Sequence, residues 1–170
     1  MEPEQLLNAQ RGSYALLLRL ERTQWIKVGK LGNFKFPKGY HIYLGSAMGN
    51  GGIYSRVSWH INLHKKEHWH IDWLRSRCQL VSILYSIIAR KLECIWSRAL
   101  LKVSGSEVVA PGFGASDCIN HCVTHLVSFR DVLPKKEIFN AIEMVSSNTI
   151  YELNGYQIMK IQNKVKSTAE

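Results

Sequence analysis

The stretch from Tyr40 to His60 constrains the fold more than any other part of this chain. Apolar and polar side chains alternate up to position 44, which predicts a strand, and glycines then turn the chain, at positions 45, 49, 51 and 52. Apolar residues recur at every fourth position from Ile53, which predicts a helix over about residues 52–64. Arg56 and His60 share one face of that helix because they are four residues apart. A strand, a glycine turn and a helix with a paired Arg and His are therefore a layout that can bind a phosphate group.

Further strands and helices are predicted from the periodicity of the remaining chain. Strand patterns cover residues 12–20, 25–28, 80–88 and 125–129, and helix patterns cover residues 89–103 and the segment that follows Pro134. Residues 68–74 alternate like a strand, but a continuing four-residue spacing favours a helix. Asn154-Gly155 stands between alternating runs at 149–153 and 156–161. This pair predicts a β-hairpin, because both turn positions need a positive φ.

The charge of the chain favours a polyanionic partner. Lys and Arg number 22 against 13 Asp and Glu, a net charge of +9, and basic residues recur through positions 19–38. A balance of this size favours nucleic acid over a membrane surface, and an ordinary solvated basic surface is the alternative. The candidate nucleic-acid contacts are the basic side chains Lys30, Lys35, Lys38, Lys65, Lys66, His68 and His70.

The sequence also predicts a compartment and a redox state. No apolar run reaches the length of a membrane span, and the N-terminus lacks a signal-peptide layout, so we expect an intracellular, cytoplasmic protein with no membrane partner. Disulfides are not expected in that setting. Cys78 and Cys94 lie among apolar residues and are predicted to be small core residues.

The other two cysteines belong to a Cys-x₃-Cys-x₂-His pattern of Cys118, Cys122 and His125. These residues offer three soft ligands, and His121 or Asp117 would complete a set of four. The spacing is looser than that of a Cys-x₂-Cys knuckle. Reduced, hydrogen-bonded residues that pack a glycine loop are therefore favoured over a Zn²⁺ site.

Two tripeptides and three single residues carry a resemblance to a known family. Gly12-Ser13-Tyr14 and Tyr43-Leu44-Gly45 lie on two predicted strands, and Arg56, His60 and Glu93 follow in order. The chain resembles GIY-YIG nucleases over residues 11–130, and in particular the small endonuclease-like proteins of archaea and bacteria. Three phrases are similar to that subgroup: GlySerAla at 45–47, HisTrpHisIleAsp at 68–72 and GlyPheGlyAlaSerAspCys at 112–118.

The resemblance implies a fold and a domain plan. The fold is α+β, with a small central, largely antiparallel sheet flanked by helices. Residues 1–10 would be an N-terminal tail, 11–130 the nuclease-like domain, and 131–170 a C-terminal extension made of a helix and a hairpin. The cell type it implies is prokaryotic.

The resemblance also implies an activity and its residues, namely a DNA endonuclease that uses Mg²⁺ or Mn²⁺. Tyr14 would assist the attacking water, Tyr43 would position either the water or Tyr14, and His60 would accept a proton. Arg56 offers a planar, permanently charged fork for phosphate oxygens. Glu93 would hold the metal, since Mg²⁺ keeps several waters and uses few protein ligands.

Each of these residues has a structural alternative. A tyrosine in a strand often packs in the core, and a single Arg or Glu on a helix is often a solvated charge. The segment with His68, His70 and Asp72 could bind a metal, but a structural or DNA-facing role is favoured. The alternative functions are a nucleic-acid-binding module without catalysis and a zinc-dependent scaffold.

Overall fold

The computed structural model describes residues 10–147 and 150–167. Apart from Gln10, the predicted N-terminal tail lies outside the described residues, as does Thr149. The described residues form eight strands: Gly12–Leu20 (β1), Gln24–Val28 (β2), Gly32–Phe36 (β3), Gly39–Ala47 (β4), Gln79–Ser86 (β5), Ser106–Glu107 (β6), Leu126–Arg130 (β7) and Tyr151–Leu153 (β8). The helices in the same residues are Gly52–Ile61 (α1), His70–Arg75 (α2), Glu93–Leu100 (α3), Lys135–Ser146 (α4) and Gly155–Ser167 (α5).

Six of the strands form one sheet in the order β6-β7-β4-β1-β5-β8. Every neighbouring pair in it is antiparallel. Strands β2 and β3 pair separately as a hairpin, and β2 covers the strand predicted at 25–28. The α+β class with an antiparallel sheet is thus confirmed.

The alternation of side chains along β1 divides the core into two layers. Leu16 and Leu18 point to one face, where they join Ile53 and Val57 of α1 in a buried cluster. Leu17 points to the other face and belongs to a second cluster with side chains from α3 and α4. Helices therefore cover both faces of the sheet, and side chains reach the ends of β1 and β4 from either side.

The helix predicted at 89–103 is shorter than expected and begins at Glu93. Ser13 on β1 explains the late start. Its Oγ accepts a hydrogen bond from the Leu92 backbone N–H at 2.9 Å and donates to the Arg90 carbonyl at 3.1 Å. These bonds hold the chain before α3 in a non-helical conformation, and they tie the start of the helix to the sheet. The helix predicted for residues 68–74 is confirmed as α2.

The hairpin predicted around Asn154-Gly155 is wrong. The residues before it form β8, which pairs with β5 of the main sheet, and the residues after it form α5. Asn154 acts as a helix cap: its Oδ1 accepts the Gln157 backbone N–H at 3.1 Å, and the Gln157 side chain accepts the Asn154 N–H at 2.9 Å. Ile158 and Ile161 are then buried at helical spacing, which overrides the local turn signal. None of the helices in residues 10–147 and 150–167 has the length and apolar character needed to cross a membrane.

Candidate active site

Two neighbouring strands place the tyrosines of the two tripeptides on one face of the sheet. Tyr14 on β1 stands opposite Gly45 on β4, and Tyr43 stands opposite Leu16. A Cβ on Gly45 would lie 2.5 Å from the Tyr14 phenol oxygen. The third residue of the second tripeptide is therefore glycine because the Tyr14 ring lies against its backbone.

His60 on helix α1 is the hydrogen-bond partner of Tyr14. The Tyr14 phenol oxygen lies 2.8 Å from His60 Nε2, and both residues are buried. The His60 ring also packs edge-on against Tyr43, with ring centroids 5.9 Å apart. The three residues form one buried unit at the ends of β1, β4 and α1, as the resemblance implied.

Asp72 lies behind His60, close enough for its charge to act on the imidazole but too far for a hydrogen bond. Its Oδ1 is 3.9 Å from His60 Nδ1 and 2.9 Å from Lys65 Nζ. Its Oδ2 accepts the backbone N–H groups of His68 and Trp69, both at 3.0 Å. The HisTrpHisIleAsp phrase therefore serves to hold a buried carboxylate in place, a role that the sequence did not assign to Asp72.

The surroundings of His60 keep it neutral. Its pKa is lowered to about 3, chiefly by burial and then by the Lys65 cation, which together outweigh the opposing effect of Asp72. We assign the Nδ1–H tautomer, because an ionised carboxylate can only accept a proton from that side. Nε2 is then left as the acceptor of the Tyr14 O–H. The phenol is fully protonated at rest, since burial raises the pKa of Tyr14 well above 10.0.

Arg56 lies half-buried on α1 with its guanidinium over the Trp69 ring, 4.3 Å from the ring centroid. Such stacking holds the planar group in one orientation and leaves its N–H edges free to point elsewhere. A groove beside Arg56 is lined by Gly49, Gly51 and Gly52 together with Trp59 and Trp69. The glycine turn thus leaves open space next to the arginine, as its sequence suggested.

Glu93 reaches the same region from the other layer of the fold. It is the first residue of α3, and Ser46 Oγ on β4 donates a hydrogen bond to Glu93 Oε2. Ser46 is itself 3.3 Å from Ser13 Oγ, which links the carboxylate to the residue that starts the helix. Ser13 and Ser46 were missed as site residues, although the GlySerAla phrase contains the second of them.

These groups converge on one cleft. Four of the five predicted catalytic residues line it, namely Tyr14, Tyr43, Arg56 and Glu93, while His60 lies behind Tyr14. Lys91 and Asp117 also line the cleft and were not predicted. The cleft therefore combines a buried phenol with a proton acceptor, two cations and two carboxylates.

A divalent cation fits the oxygen donors of this cleft. Glu93 is half-exposed at the cleft wall, with the Ser46 hydroxyl beside it and Asp117 on the same surface. Hard cations such as Mg²⁺ prefer oxygen ligands and retain water in part of their shell. Glu93 is the residue we expect to bind it directly.

A second group of ligands is formed by sulfur and nitrogen atoms. The ligand atoms of Cys94, Cys118, Cys122 and His125 all lie within 4.8 Å of one another. Cys94 is half-buried on α3, so its assignment to the apolar core is wrong. The fourth member of the cluster is this cysteine, not His121 or Asp117, because α3 packs against the loop that carries the other three. Cys78 is buried, as predicted.

The predicted nucleic-acid contacts are more scattered. Most of them are exposed: Lys30, Lys35, Lys38, Lys66 and His68. Lys65, by contrast, pairs with Asp72 and lies over the Trp59 ring, 4.5 Å from its centroid. His70 Nδ1 accepts the Gly114 backbone N–H at 3.0 Å, so its imidazole supports the loop at the cleft. Within the described part of the chain, none of these seven side chains lines the cleft.

The fold and the cleft define a small α+β domain with a tyrosine–histidine pair, an arginine and a glutamate at one site. A family model described as "Domain of unknown function DUF123" matches residues 13–147, and the chain belongs to that family. The family is GIY-YIG-like and nuclease-related. The match contains all five predicted catalytic residues and all four members of the Cys–His cluster. No curated protein and no solved structure matches the chain.

Proposed function

We propose that this protein is a metal-dependent DNA endonuclease that hydrolyses phosphodiester bonds. The observation that carries the proposal is the 2.8 Å hydrogen bond between Tyr14 and His60 at a cleft lined by Arg56 and Glu93. Phosphodiester hydrolysis needs a proton acceptor for the attacking water, a counter-charge for the phosphate and help for the leaving oxygen. The first two needs are met by side chains at this cleft.

The buried pair provides a route for one proton. As water attacks phosphorus, Tyr14 Oη takes the water proton and passes its own proton to His60 Nε2. The imidazolium that forms has its Nδ1–H directed toward the Asp72 carboxylate, 3.9 Å away. A relay is needed because the high pKa of Tyr14 rules out a standing phenolate at neutral pH. Tyr43 packs against His60 and keeps water from its imidazole.

Arg56 neutralises the phosphate. Its guanidinium is oriented by Trp69 and lies beside the glycine groove, where a phosphodiester backbone has room to pass. A positive charge that is in place before the reaction stabilises the extra negative charge of the transition state without reorganisation. Lys91 adds a second cation at the cleft wall.

Glu93 would hold Mg²⁺ or Mn²⁺. When bound, such an ion acts as a Lewis acid on phosphate oxygens and stabilises the charge that develops on the leaving oxygen. Ser46 keeps the carboxylate directed into the cleft.

DNA is the proposed partner because the chain carries a net charge of +9 and the cleft is open to a polymer backbone. All four cysteines are free thiols, which fits a reducing compartment, and we propose the cytoplasm. The alternative function is a nucleic-acid-binding module without catalysis, which would bind DNA through the basic segment at 19–38 and the aromatic-rich segment at 68–73.

A cleavage assay distinguishes the two functions. Plasmid, single-stranded and branched DNA are incubated with wild-type protein and Mg²⁺ or Mn²⁺, with chelator as the blank. We expect metal-dependent cleavage that Arg56→Lys reduces by about 10²-fold, because Lys keeps the charge but loses the fork. Arg77→Lys, an exposed arginine outside the cleft, is the matched control and should cleave normally. Salt-sensitive binding with no cleavage of any substrate would favour the binding module.

A further inference from the structure

The Cys–His cluster beside the cleft has the composition and geometry of a metal site. We propose that Cys94, Cys118, Cys122 and His125 bind one Zn²⁺ ion that joins helix α3 to the loop before β7. Three thiolates and one imidazole are a common ligand set of structural zinc. The zinc site does not depend on the proposed nuclease activity, and it uses none of the five catalytic residues.

The distances fit a tetrahedral ion. Cys94 Sγ lies 3.5 Å from Cys118 Sγ and 3.7 Å from His125 Nε2. Zinc bonds of about 2.3 Å to sulfur and about 2.0 Å to nitrogen place tetrahedral ligands about 3.5–3.8 Å apart. Two ligand pairs therefore already lie near tetrahedral spacing, and all four ligand atoms lie within 4.8 Å of one another.

Hydrogen-bond donors are directed at two of the sulfur atoms in the cluster. The Cys118 sulfur accepts backbone N–H groups from Asn120 and Cys122, as in a knuckle turn. The Asn120 side-chain amide donates to Cys94 Sγ at 3.3 Å, and the Asn120 carbonyl is held by Arg98 at 3.1 Å. Donors directed at sulfur atoms are the outer shell that orients metal ligands.

The backbone around the cluster is built to hold its ligands in place. His121 has a φ of 51°, which allows the short turn between the two loop cysteines. The His125 N–H donates to the Phe113 carbonyl at 2.8 Å, and the Ser97 hydroxyl of α3 donates to the Thr124 carbonyl at 2.6 Å. The loop and the helix thus meet through several contacts, and three of the four ligands, Cys94, Cys118 and His125, also line the cleft.

A zinc ion here would cross-link parts of the chain that are distant in sequence. Cys94 and Cys118 are 24 residues apart, and a metal that binds both restricts the unfolded chain as a disulfide would. The alternative covalent outcome is a Cys94–Cys118 disulfide, which zinc would prevent.

Metal content and metal affinity test the site without any cleavage measurement. Wild-type protein is purified in reducing buffer without chelator, and its metals are measured by mass spectrometry. We expect about one zinc per chain. Cys94→Ser and Cys122→Ser should each lower the zinc content at least about tenfold, because three ligands remain. Cys78→Ala removes a buried cysteine outside the cluster and should retain the zinc.

Cobalt supplies a readout that does not rely on weakened variants. Co²⁺ added to metal-free wild type should give the visible absorption of a tetrahedral thiolate site, and zinc should abolish it. His125→Cys keeps four ligands, so it should still bind Co²⁺ and show a stronger sulfur-to-cobalt charge-transfer band. Zinc should also raise the melting temperature of the metal-free protein.

Several results would overturn the proposal. Full zinc content in Cys94→Ser would show that α3 contributes no ligand to the site. Iron in place of zinc would overturn the identity of the metal. A wild-type protein that takes up no zinc and loses two free thiols on exposure to air would show that the cluster is a disulfide pair.

Discussion

The Tyr14 hydroxyl and His60 Nε2 lie 2.8 Å apart, with the tyrosine on the first strand and the histidine on the first helix. They are separated by 46 residues in sequence and are both almost fully buried. This contact joins the two halves of the candidate site, because Tyr14 faces the cleft and His60 faces Asp72. The raised pKa of Tyr14 and the lowered pKa of His60 both keep the shared proton on the phenol at rest.

Replacement of Tyr14 by Phe should abolish that transfer. We expect single-turnover cleavage to fall by about 10²–10⁴-fold, the usual effect of losing a general base. The free energy of unfolding should fall by about 1–2 kcal/mol, since His60 Nε2 loses its buried partner. Chemical unfolding and cleavage kinetics measure the two effects separately. Tyr54→Phe, on a half-buried tyrosine of the same helix α1, is the control, and an equal loss of activity there would contradict the role of Tyr14.

Gly45→Ala should disturb the same contact without changing either partner. The new Cβ would lie 2.5 Å from the Tyr14 phenol oxygen, so the ring must move away. Cleavage should therefore fall as it does in Tyr14→Phe, with DNA affinity kept within about threefold because no charge is lost. Gly155→Ala is the matched control, since a Cβ there meets no atom within 4 Å and the residue lies outside the cleft. Normal cleavage by a folded Gly45→Ala protein would show that Tyr14 placement is not required.

Buried histidines should make the protein less stable in mild acid. The pKa values of His60 and His41 are lowered by burial to about 3 and about 4, from 6.5 when unfolded. Below 6.5 the unfolded chain binds protons that the folded chain does not, so stability is complete above that pH and is lost as pH falls. Each histidine contributes up to about 1.4 kcal/mol per pH unit.

Urea unfolding measured from about pH 7 to about pH 5 checks this slope. His60→Gln should reduce it, because one of the buried histidines with a lowered pKa no longer titrates. The exposed His64 is the control position, and His64→Gln should leave the slope unchanged. A free energy of unfolding that is constant over this range would mean that the histidines are accessible to protons in the folded protein.

Local pattern was enough to predict much of the fold, while the family resemblance selected the residues that meet at the cleft. Alternation and helical spacing predicted β1, β4 and α1, and the two tripeptides with Arg56 and His60 lie on these elements. Tyr14 and Tyr43 lie on the same face because of strand pairing. Tyr14 pairs with Gly45, and Tyr43 lies two positions from Gly45 along β4, so its side chain points to the same face.

The residues that were missed depend on contacts between distant segments. Cys94 looks like a core residue in its own segment, and only the packing of α3 against a later loop makes it a fourth ligand. Asp72 is one of several polar residues in its sequence segment, and only the packing of α1 shows that it lies beside His60. At Asn154 the turn signal was real, but burial of Ile158 and Ile161 against the core favoured a capped helix instead.

The central claim is that this cleft cleaves DNA with a metal held by Glu93, and Glu93→Gln tests it most directly. This change keeps the shape of the side chain and removes its charge, so Mg²⁺ should bind poorly while DNA still binds. Glu67→Gln, at an exposed site, is the control. We predict Mg²⁺-dependent cleavage by the wild type and by Glu67→Gln, and a loss of at least about 10²-fold in Glu93→Gln with DNA affinity unchanged. Equal cleavage by the wild type and Glu93→Gln across a Mg²⁺ titration would contradict the claim.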